Sequence, residues 1–333
     1  GFCDWLSYTP FVQDTSDCNL PLLMQENLCM QSASLELKEY PLVLNRVIDE
    51  YKKQLTVLDV PSFISSNANS SNKLRIGWFS GDLSYHPVGR FLLGFFHKKN
   101  LHHHHLLFDT CDHGAESRRE WFKNTTPLDV FNYSNYSLPQ QINLVREHNL
   151  DIAIDLSGWT SGHFMRGFLS RLAPIQISYL GYFASTGLPT MDFWLGDQSL
   201  FPSPMMEWSS EKLIRLDRCF IAWDPPAFLP EGSVSVPDAI NSPDIRFGCF
   251  NHHRKFSDLT LRTWGKILQS IPGSTLVLKR GTKEDGSTQS ILASRFRKSG
   301  LDPERVFWID RAQSSEDHLL QYSYVDIALD CFP

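Results

Sequence analysis

Hydrophobic positions in the first part of the chain recur at the spacing of an α-helix. Between Pro41 and Pro61, apolar side chains return every three or four residues, as in an amphipathic helix, at Leu42, Val43, Val47, Ile48, Tyr51 and Leu55. The stretch after Pro61 is rich in Ser and Asn, a composition that favours a loop. We therefore predict a helical segment over residues 1–61 and a linker over residues 62–73.

From Leu74 onward, short apolar runs alternate with longer amphipathic stretches. The short runs predict strands, and the stretches between them predict helices. The predicted strands are residues 74–79, 106–108, 129–131, 151–155, 174–179 and 193–196, and the helices are residues 88–97, 115–123 and 138–148. This alternation is typical of a parallel, doubly wound sheet.

Five prolines then fall between residues 224 and 244, and a second alternating set follows them. Its predicted strands are residues 246–250, 275–279, 305–309 and 326–329, and its helices are residues 259–271, 287–299 and 315–322. We therefore predict an α/β fold with lobes over residues 74–223 and 245–333, joined by a linker over 224–244. Ligands of such folds bind at the carboxyl ends of the strands, so we expect a site in a cleft between the lobes.

The charge balance and the cysteine pattern exclude several classes of function. The formal charge is −6, which gives no electrostatic footprint for nucleic acid or for an anionic membrane. No run of 18 apolar residues predicts a transmembrane helix. The seven cysteines form no CxxC pair, and scattered thiols of this kind fit a reducing, cytoplasmic setting.

The first predicted strand leads into a loop that carries Asp82 and His86. An imidazole in such a loop can act as an acid, a base or a hydrogen-bond donor, and the carboxylate can orient it or act as a base itself. From these residues alone, an ordinary capped turn is the more common alternative. Gly77 and Gly81 do not have the spacing of a dinucleotide-binding G-x-G-x-x-G motif, so a dehydrogenase is not predicted.

Two further loops hold candidate binding groups. Residues 158–162 follow a predicted strand and combine two glycines with the hydroxyl of Thr160, which suits close approach to a polar ligand. Residues 252–255 place His252 and Lys255 just before a helix, where backbone N–H groups and the helix dipole stabilise a diphosphate. A plain turn and a solvated basic loop are the respective alternatives. Four consecutive histidines, residues 102–105, predict a solvated strand edge, and no metal site is expected.

Taken together, the ordered motifs resemble the catalytic region of the O-linked N-acetylglucosamine transferases and the related SPINDLY proteins. The resemblance covers roughly residues 74 to 333. The matching segments are Leu74-Arg75-Ile76-Gly77; Asp82 with His86-Pro87; Gly158-Trp159-Thr160-Ser161-Gly162; Ala173-Pro174-Ile175-Gln176; Leu180-Gly181-Tyr182 with Thr186-Gly187; Met191-Asp192; Phe250-Asn251 with Lys255; and Asp326 with Leu329-Asp330. The family's fold of two Rossmann-like lobes, the glycosyltransferase-B type, agrees with the lobes predicted above.

The resemblance implies inverting, metal-independent transfer of N-acetylglucosamine from UDP-N-acetylglucosamine to Ser or Thr hydroxyls of acceptor proteins. It implies no cofactor beyond this nucleotide-sugar co-substrate. The alternatives are a SPINDLY-like O-fucosyltransferase that uses GDP-fucose, and a non-catalytic scaffold. His252, Trp159 and Ser314 differ from residues that many relatives carry at these positions, so the choice of donor stays open.

The resemblance also assigns roles to individual residues. His86 matches the family's active-site histidine. Asp82 matches a carboxylate that has been considered as the base of the family's reaction. The residues that match donor-binding positions are Lys255 at the diphosphate, His252, His318 and Ala312 at the nucleotide, and Leu180, Gly181 and Thr160 near the sugar.

The ends of the chain suggest a piece of a longer protein. The sequence begins at Gly1 and stops at Pro333 within a predicted strand. We expect tetratricopeptide repeats before it and the rest of the second lobe after it, because the resemblance implies both. We therefore expect the 333-residue segment by itself to be inactive and the parent protein to be active.

Overall fold

Two parallel sheets organise the part of the chain that a computed structural model describes. The described residues are 40–58, 60–64, 72–84, 86–96, 102–111, 120, 128–160, 162–201, 209–223, 244–280 and 286–331. Those up to Trp223 belong to one unit and those from Asp244 onward to a second. The predicted linkers over 62–73 and 224–244 and the predicted helix over 115–123 lie largely outside the described residues, as do residues 1–39.

The first unit contains a seven-stranded sheet in the order β3-β2-β1-β4-β5-β6-β7, and all neighbouring strands are parallel. Because β1 lies between β2 and β4, the winding reverses there, which creates a topological switch point. The strands are β1 (Arg75–Ser80), β2 (His104–Asp109), β3 (Val130–Phe131), β4 (Ile152–Asp155), β5 (Ile175–Tyr179), β6 (Phe193–Asp197) and β7 (Lys212–Leu216), and the helices are α1 (Tyr40–Val57), α2 (Pro87–Phe96), α3 (Leu138–Glu147) and α4 (Met165–Leu169).

The second unit contains a four-stranded parallel sheet in the order β10-β9-β8-β11. Its winding reverses between β8 and β11, so this sheet has a switch point of its own. The strands are β8 (Arg246–Cys249), β9 (Thr275–Lys279), β10 (Val306–Ile309) and β11 (Ile327–Ala328), and the helices are α5 (Asp258–Ser270), α6 (Gly286–Lys298) and α7 (Ser315–Leu320). No helix in the described ranges has the length and apolar character needed to cross a bilayer.

Buried apolar side chains hold each sheet against its helices. In the first unit, Trp78 and Ile154 from the sheet pack with Leu92 and Phe96 from α2. In the second unit the cluster includes Phe247, Phe256, Leu261, Trp264, Leu276, Leu278, Leu292 and Phe296. Complete burial of one such side chain contributes about 1.5–3 kcal/mol, so these clusters fix the sheets that carry the loops described below.

Helix α1 is attached to the first unit through Tyr51, which is buried. The Tyr51 ring lies 5.8 Å from the ring of Trp159, and the guanidinium of Arg166 lies 5.7 Å from the Tyr51 centroid. Trp159 belongs to the loop after β4, so the helix packs directly against one of the candidate site loops.

Two elements of the first unit were not predicted from the sequence pattern. Strand β7 lies at the edge of the sheet, where only half of its residues would face a core. Its charged residues Lys212 and Arg215 interrupt the apolar run from which a strand is predicted. Helix α4 has only five residues, too few to show a helical period. Strand β2 starts at His104 rather than at Leu106, because two histidines of the predicted solvated edge pair with Arg75 and Ile76 in β1.

One arginine closes the carboxyl end of α5 in the second unit. The Arg305 guanidinium donates hydrogen bonds to the carbonyl oxygens of Leu268, Ile271 and Ser274. Leu268 lies in the last turn of the helix, where carbonyl groups lack their usual intrahelical donors, and Ile271 and Ser274 follow the helix end. A basic side chain near a helix end is a common way to satisfy such carbonyls.

We predict that Arg305→Met destabilises the second unit by about 2 kcal/mol, because a charged donor is lost from several half-buried acceptors. Hydrogen exchange should show a roughly 30-fold loss of protection in α5 and β9. Arg297→Met removes an exposed arginine from α6 and is the matched control. Equal protection in the two variants would show that the Arg305 bonds do not stabilise this unit.

Candidate functional site

The loops after β1 and β4 meet at the switch point of the first sheet. The hydroxyl groups of Ser80 and Ser157 lie 3.1 Å apart, and the Gly81 N–H points to the Ser157 hydroxyl at 3.4 Å. A Cβ placed on Gly81 would lie 2.9 Å from the Cα of Gly162, closer than such atoms normally approach. The two loops therefore pack backbone to backbone, and Gly81 is required for the contact.

His86 and Asp82 lie in the loop after β1, at this edge of the sheet. Their closest atoms, Nδ1 and Oδ2, are 3.6 Å apart, and both side chains keep access to solvent, with 45% and 30% of their surfaces exposed. The Val88 N–H donates to His86 Nδ1 at 3.4 Å. When Nδ1 accepts this hydrogen bond, the neutral His86 ring carries its proton on Nε2.

The backbone of the loop after β4 is hydrogen-bonded to a buried carboxyl group. Asp155 accepts hydrogen bonds from the N–H groups of Ser157 at 3.2 Å and Gly158 at 2.7 Å. Burial raises the pKa of Asp155 to about 7, against the opposing effect of these two bonds. The Thr160 hydroxyl donates to the Ser157 carbonyl at 2.7 Å, so its proton is used within the loop. The half-buried Thr160 oxygen keeps the capacity to accept a hydrogen bond.

Trp159 links the loop after β4 to the loop after β5. Its side chain is fully buried, and its indole N–H donates to the carbonyl of Thr186 at 2.9 Å. Thr186 is itself held by the buried carboxylate of Glu211, which accepts from the Thr186 N–H at 2.7 Å and from the Ser185 hydroxyl at 2.7 Å. Satisfied buried groups of this kind make the loop rigid.

Leu180 and Gly181 begin the loop after β5. Leu180 has a positive φ of 68°, and its side chain packs in the core with Val88 and Leu156. A Cβ on Gly181 would lie 1.9 Å from the carbonyl oxygen of Leu156, so only glycine fits there. The structure therefore leaves the backbone, and not the Leu180 side chain, to meet a ligand at this position.

In the second unit, polar groups gather where β8 and β11 end. Asn251 donates through its side-chain amide to the Asp330 carboxylate at 2.7 Å. His252 and Lys255 are exposed, and Lys255 ends the short 3₁₀ turn His253–Lys255 just before α5. The Ser257 hydroxyl caps α5 by accepting from the Thr260 N–H at 3.1 Å. The predicted basic residues thus precede a capped helix N-terminus at the carboxyl edge of the sheet.

His318 lies in α7 and belongs to a cluster that the sequence did not predict. Its Nδ1 is 2.6 Å from the ammonium nitrogen of Lys279, the last residue of β9. The rings of Phe250 and Tyr322 surround the same imidazole at centroid distances of 6.0 Å and 5.5 Å. Ala312 is half-buried in the loop between β10 and α7.

Two thiols also meet at this edge, although they are 82 residues apart in sequence. The sulfur atoms of Cys249 and Cys331 lie 3.8 Å apart. The hydrogen bond from Cys331, together with those from Asn251, lowers the pKa of Cys249 to about 7. The same pairing raises the pKa of Cys331, so Cys249 is the first of the two to ionise.

Comparison with known proteins decides the family. The profile of Glycosyl transferase family 41 matches residues 50–234, more than half of the chain. The chain belongs to this family. The matched region contains the loops after β1, β4 and β5, and therefore His86, Asp82, Thr160 and Gly181.

Named relatives of this family 41 chain agree. A probable UDP-N-acetylglucosamine–peptide N-acetylglucosaminyltransferase SPINDLY from Oryza sativa subsp. japonica is 36% identical over 191 residues, covering 57% of this chain and 20% of the relative. A probable enzyme of the same description, SEC from Arabidopsis thaliana, is 27% identical over 275 residues, covering 78% and 27%. The chain thus spans about a fifth to a quarter of the length of these curated relatives.

A solved structure supports the same family 41 assignment. An O-GlcNAc transferase mutant from Thermobaculum terrenum superposes with a TM-score of 0.73 and 28% identity, covering 82% of this chain and 51% of that one. The fold is therefore of the glycosyltransferase-B type, with one parallel sheet in each unit, as the sequence predicted.

The contacts around His318 in the second unit were not predicted from the sequence. Lys279 ends a predicted strand, and a charged residue at the carboxyl end of a parallel strand is the signal that could have identified it. Phe250 and Tyr322 resemble ordinary apolar positions, because nothing in the local pattern shows that they meet around His318.

We predict that Trp159→Phe destabilises the first unit by about 1–3 kcal/mol, because it removes a buried hydrogen bond and leaves space in the core. Trp223 is 53% exposed, so Trp223→Phe is the matched control and should change stability by less than about 0.5 kcal/mol. The measurement is hydrogen exchange in the segments around Thr186 and Gly158. Equal protection in both variants would contradict the role given to Trp159.

Proposed function

We propose that the protein containing this chain transfers N-acetylglucosamine from UDP-N-acetylglucosamine to Ser and Thr hydroxyls of proteins, with inversion and without a metal ion. Family membership together with the His86–Asp82 pair at the first switch point carries this proposal. The activity for which the SPINDLY and SEC relatives are named supports the same donor and the same kind of acceptor.

In the proposed reaction, the acceptor hydroxyl attacks the anomeric carbon, the bond from that carbon to the diphosphate breaks, and the hydroxyl loses its proton. His86 carries its proton on Nε2 when Nδ1 accepts from Val88, so the neutral ring acts as a hydrogen-bond donor. The Asp82 carboxylate is then the member of the pair that can accept the hydroxyl proton.

The diphosphate leaving group needs positive charge as it departs. Lys255 and the N-terminus of α5 are proposed to supply this positive charge. Lys255 is exposed and lies three residues before the first residue of the helix. His252, His318 and Ala312 are proposed to contact the nucleotide. Gly181 and Thr160 are proposed to contact the sugar, with Leu180 contributing backbone only.

The donor is tested by mass spectrometry of an acceptor peptide incubated with the full-length protein. We predict the mass gain of one N-acetylhexosamine with UDP-N-acetylglucosamine. His86→Ala should lower turnover by about 10²–10³-fold, the usual cost of removing a positioned hydrogen-bond donor from an active site, whereas His102→Ala removes an exposed histidine and should not. A mass gain only with GDP-fucose would replace the proposed donor with the O-fucosyltransferase alternative.

Nucleotide binding is tested separately by calorimetry with UDP and GDP. We predict that Lys255→Ala weakens binding of the preferred nucleotide by roughly 10- to 100-fold, the loss of one charged contact to phosphate. Lys266 is an exposed lysine further along α5, so Lys266→Ala is the matched control. Unchanged affinity in Lys255→Ala would remove this lysine from the diphosphate site.

We also propose a cytoplasmic location, based on the cysteine usage. Cys111, Cys219, Cys249 and Cys331 are free thiols in the described part of the chain, and free thiols persist in reducing compartments.

A further inference from the structure

The carboxyl end of β9 and helix α7 bring a lysine and a histidine together. The ammonium nitrogen of Lys279 lies 2.6 Å from Nδ1 of His318, across 39 residues of sequence. An ammonium group has donors only, so Nδ1 must accept in this hydrogen bond. The His318 ring is therefore neutral and carries its proton on Nε2.

Aromatic side chains restrict the orientation of the same two groups. The Lys279 ammonium lies 5.5 Å from the centroid of the Phe250 ring, a cation–π distance. Phe250 and Tyr322 pack on each other with a centroid distance of 4.6 Å, and both lie close to the His318 ring. A hydrogen bond at one ring nitrogen and two neighbouring rings leave the imidazole little rotational freedom.

The hydrogen bond to His318 compensates a partly buried charge on Lys279. Lys279 is half-buried, and burial followed by the charge of Arg311 lowers the pKa of its ammonium. A partly desolvated cation gains most from a good acceptor. The positive charge of Lys279 in turn disfavours a second cation on His318.

We propose that Lys279 is a positioning residue that holds His318 as a neutral ring with its proton on Nε2. In this form His318 presents one fixed N–H group to an oxygen atom of the donor nucleotide. This inference rests on the proposed function, which gives His318 its contact with the nucleotide. Lys279 acts through His318 and does not itself touch the reacting atoms.

The tautomer is measured by long-range ¹H–¹⁵N NMR of the histidine rings, with His318→Gln used to assign the signals. We expect a bare Nδ1 and a protonated Nε2 in the parent protein. In Lys279→Met the two ring nitrogens should move toward a common average shift, because neither tautomer is then held. A protonated Nδ1 in the parent, or an unchanged spectrum in Lys279→Met, would overturn the inference.

Binding of UDP and GDP is measured on the same variants. We expect Lys279→Met to weaken binding of the preferred nucleotide roughly five- to tenfold, the effect of one hydrogen bond. Lys279→Arg keeps a donor and should restore affinity to within about twofold. Arg280→Met removes the adjacent exposed charge and is the control for net charge. Equal losses in Lys279→Met and Arg280→Met would contradict positioning and indicate a general charge effect.

The two proposals fail in different ways. If the parent binds neither UDP nor GDP, the proposed function fails, and the NMR spectra still decide whether Lys279 fixes the His318 tautomer. If the parent binds a nucleotide and Lys279→Met changes neither affinity nor tautomer, the positioning role fails while nucleotide binding stands.

Discussion

Close backbone contact among three loops is the constraint on which the first unit depends. Gly81 lies against Gly162, and Gly181 lies against the carbonyl of Leu156, at distances that leave no room for a side chain. These contacts join the loops after β1, β4 and β5 at one edge of the sheet. Because the strands beneath them are parallel neighbours, their carboxyl ends are already together, and the glycines let the loops close over them.

In the second unit, polar and aromatic contacts join the segments at the carboxyl edge of the sheet. Asn251 bonds to Asp330 across the ends of β8 and β11, and Lys279 bonds to His318 across β9 and α7. Arg305 holds the far end of α5 and so fixes the helix whose N-terminus follows Lys255. The exposed basic residues therefore belong to segments whose conformation is already fixed, which reduces the conformational entropy lost when a ligand binds.

Much of the fold could be predicted because period and length report local structure. Strand β1, helix α5 and strand β9 lie within a residue or two of their predicted bounds, since each is a complete apolar pattern bounded by turn residues. The short edge strand β7 and the five-residue helix α4 carry too little pattern to predict. The site was predictable only in part. Asp82 and His86 are four residues apart and share one loop, whereas Lys279 meets His318 through tertiary folding that no local window contains.

A crystal structure of the full-length protein with UDP bound is the most direct test of the donor site. We predict the diphosphate at the N-terminus of α5 within hydrogen-bond distance of Lys255, and the nucleoside within reach of His318 Nε2. A UDP molecule bound with neither residue in contact would contradict the assignment of this sheet edge as the donor site.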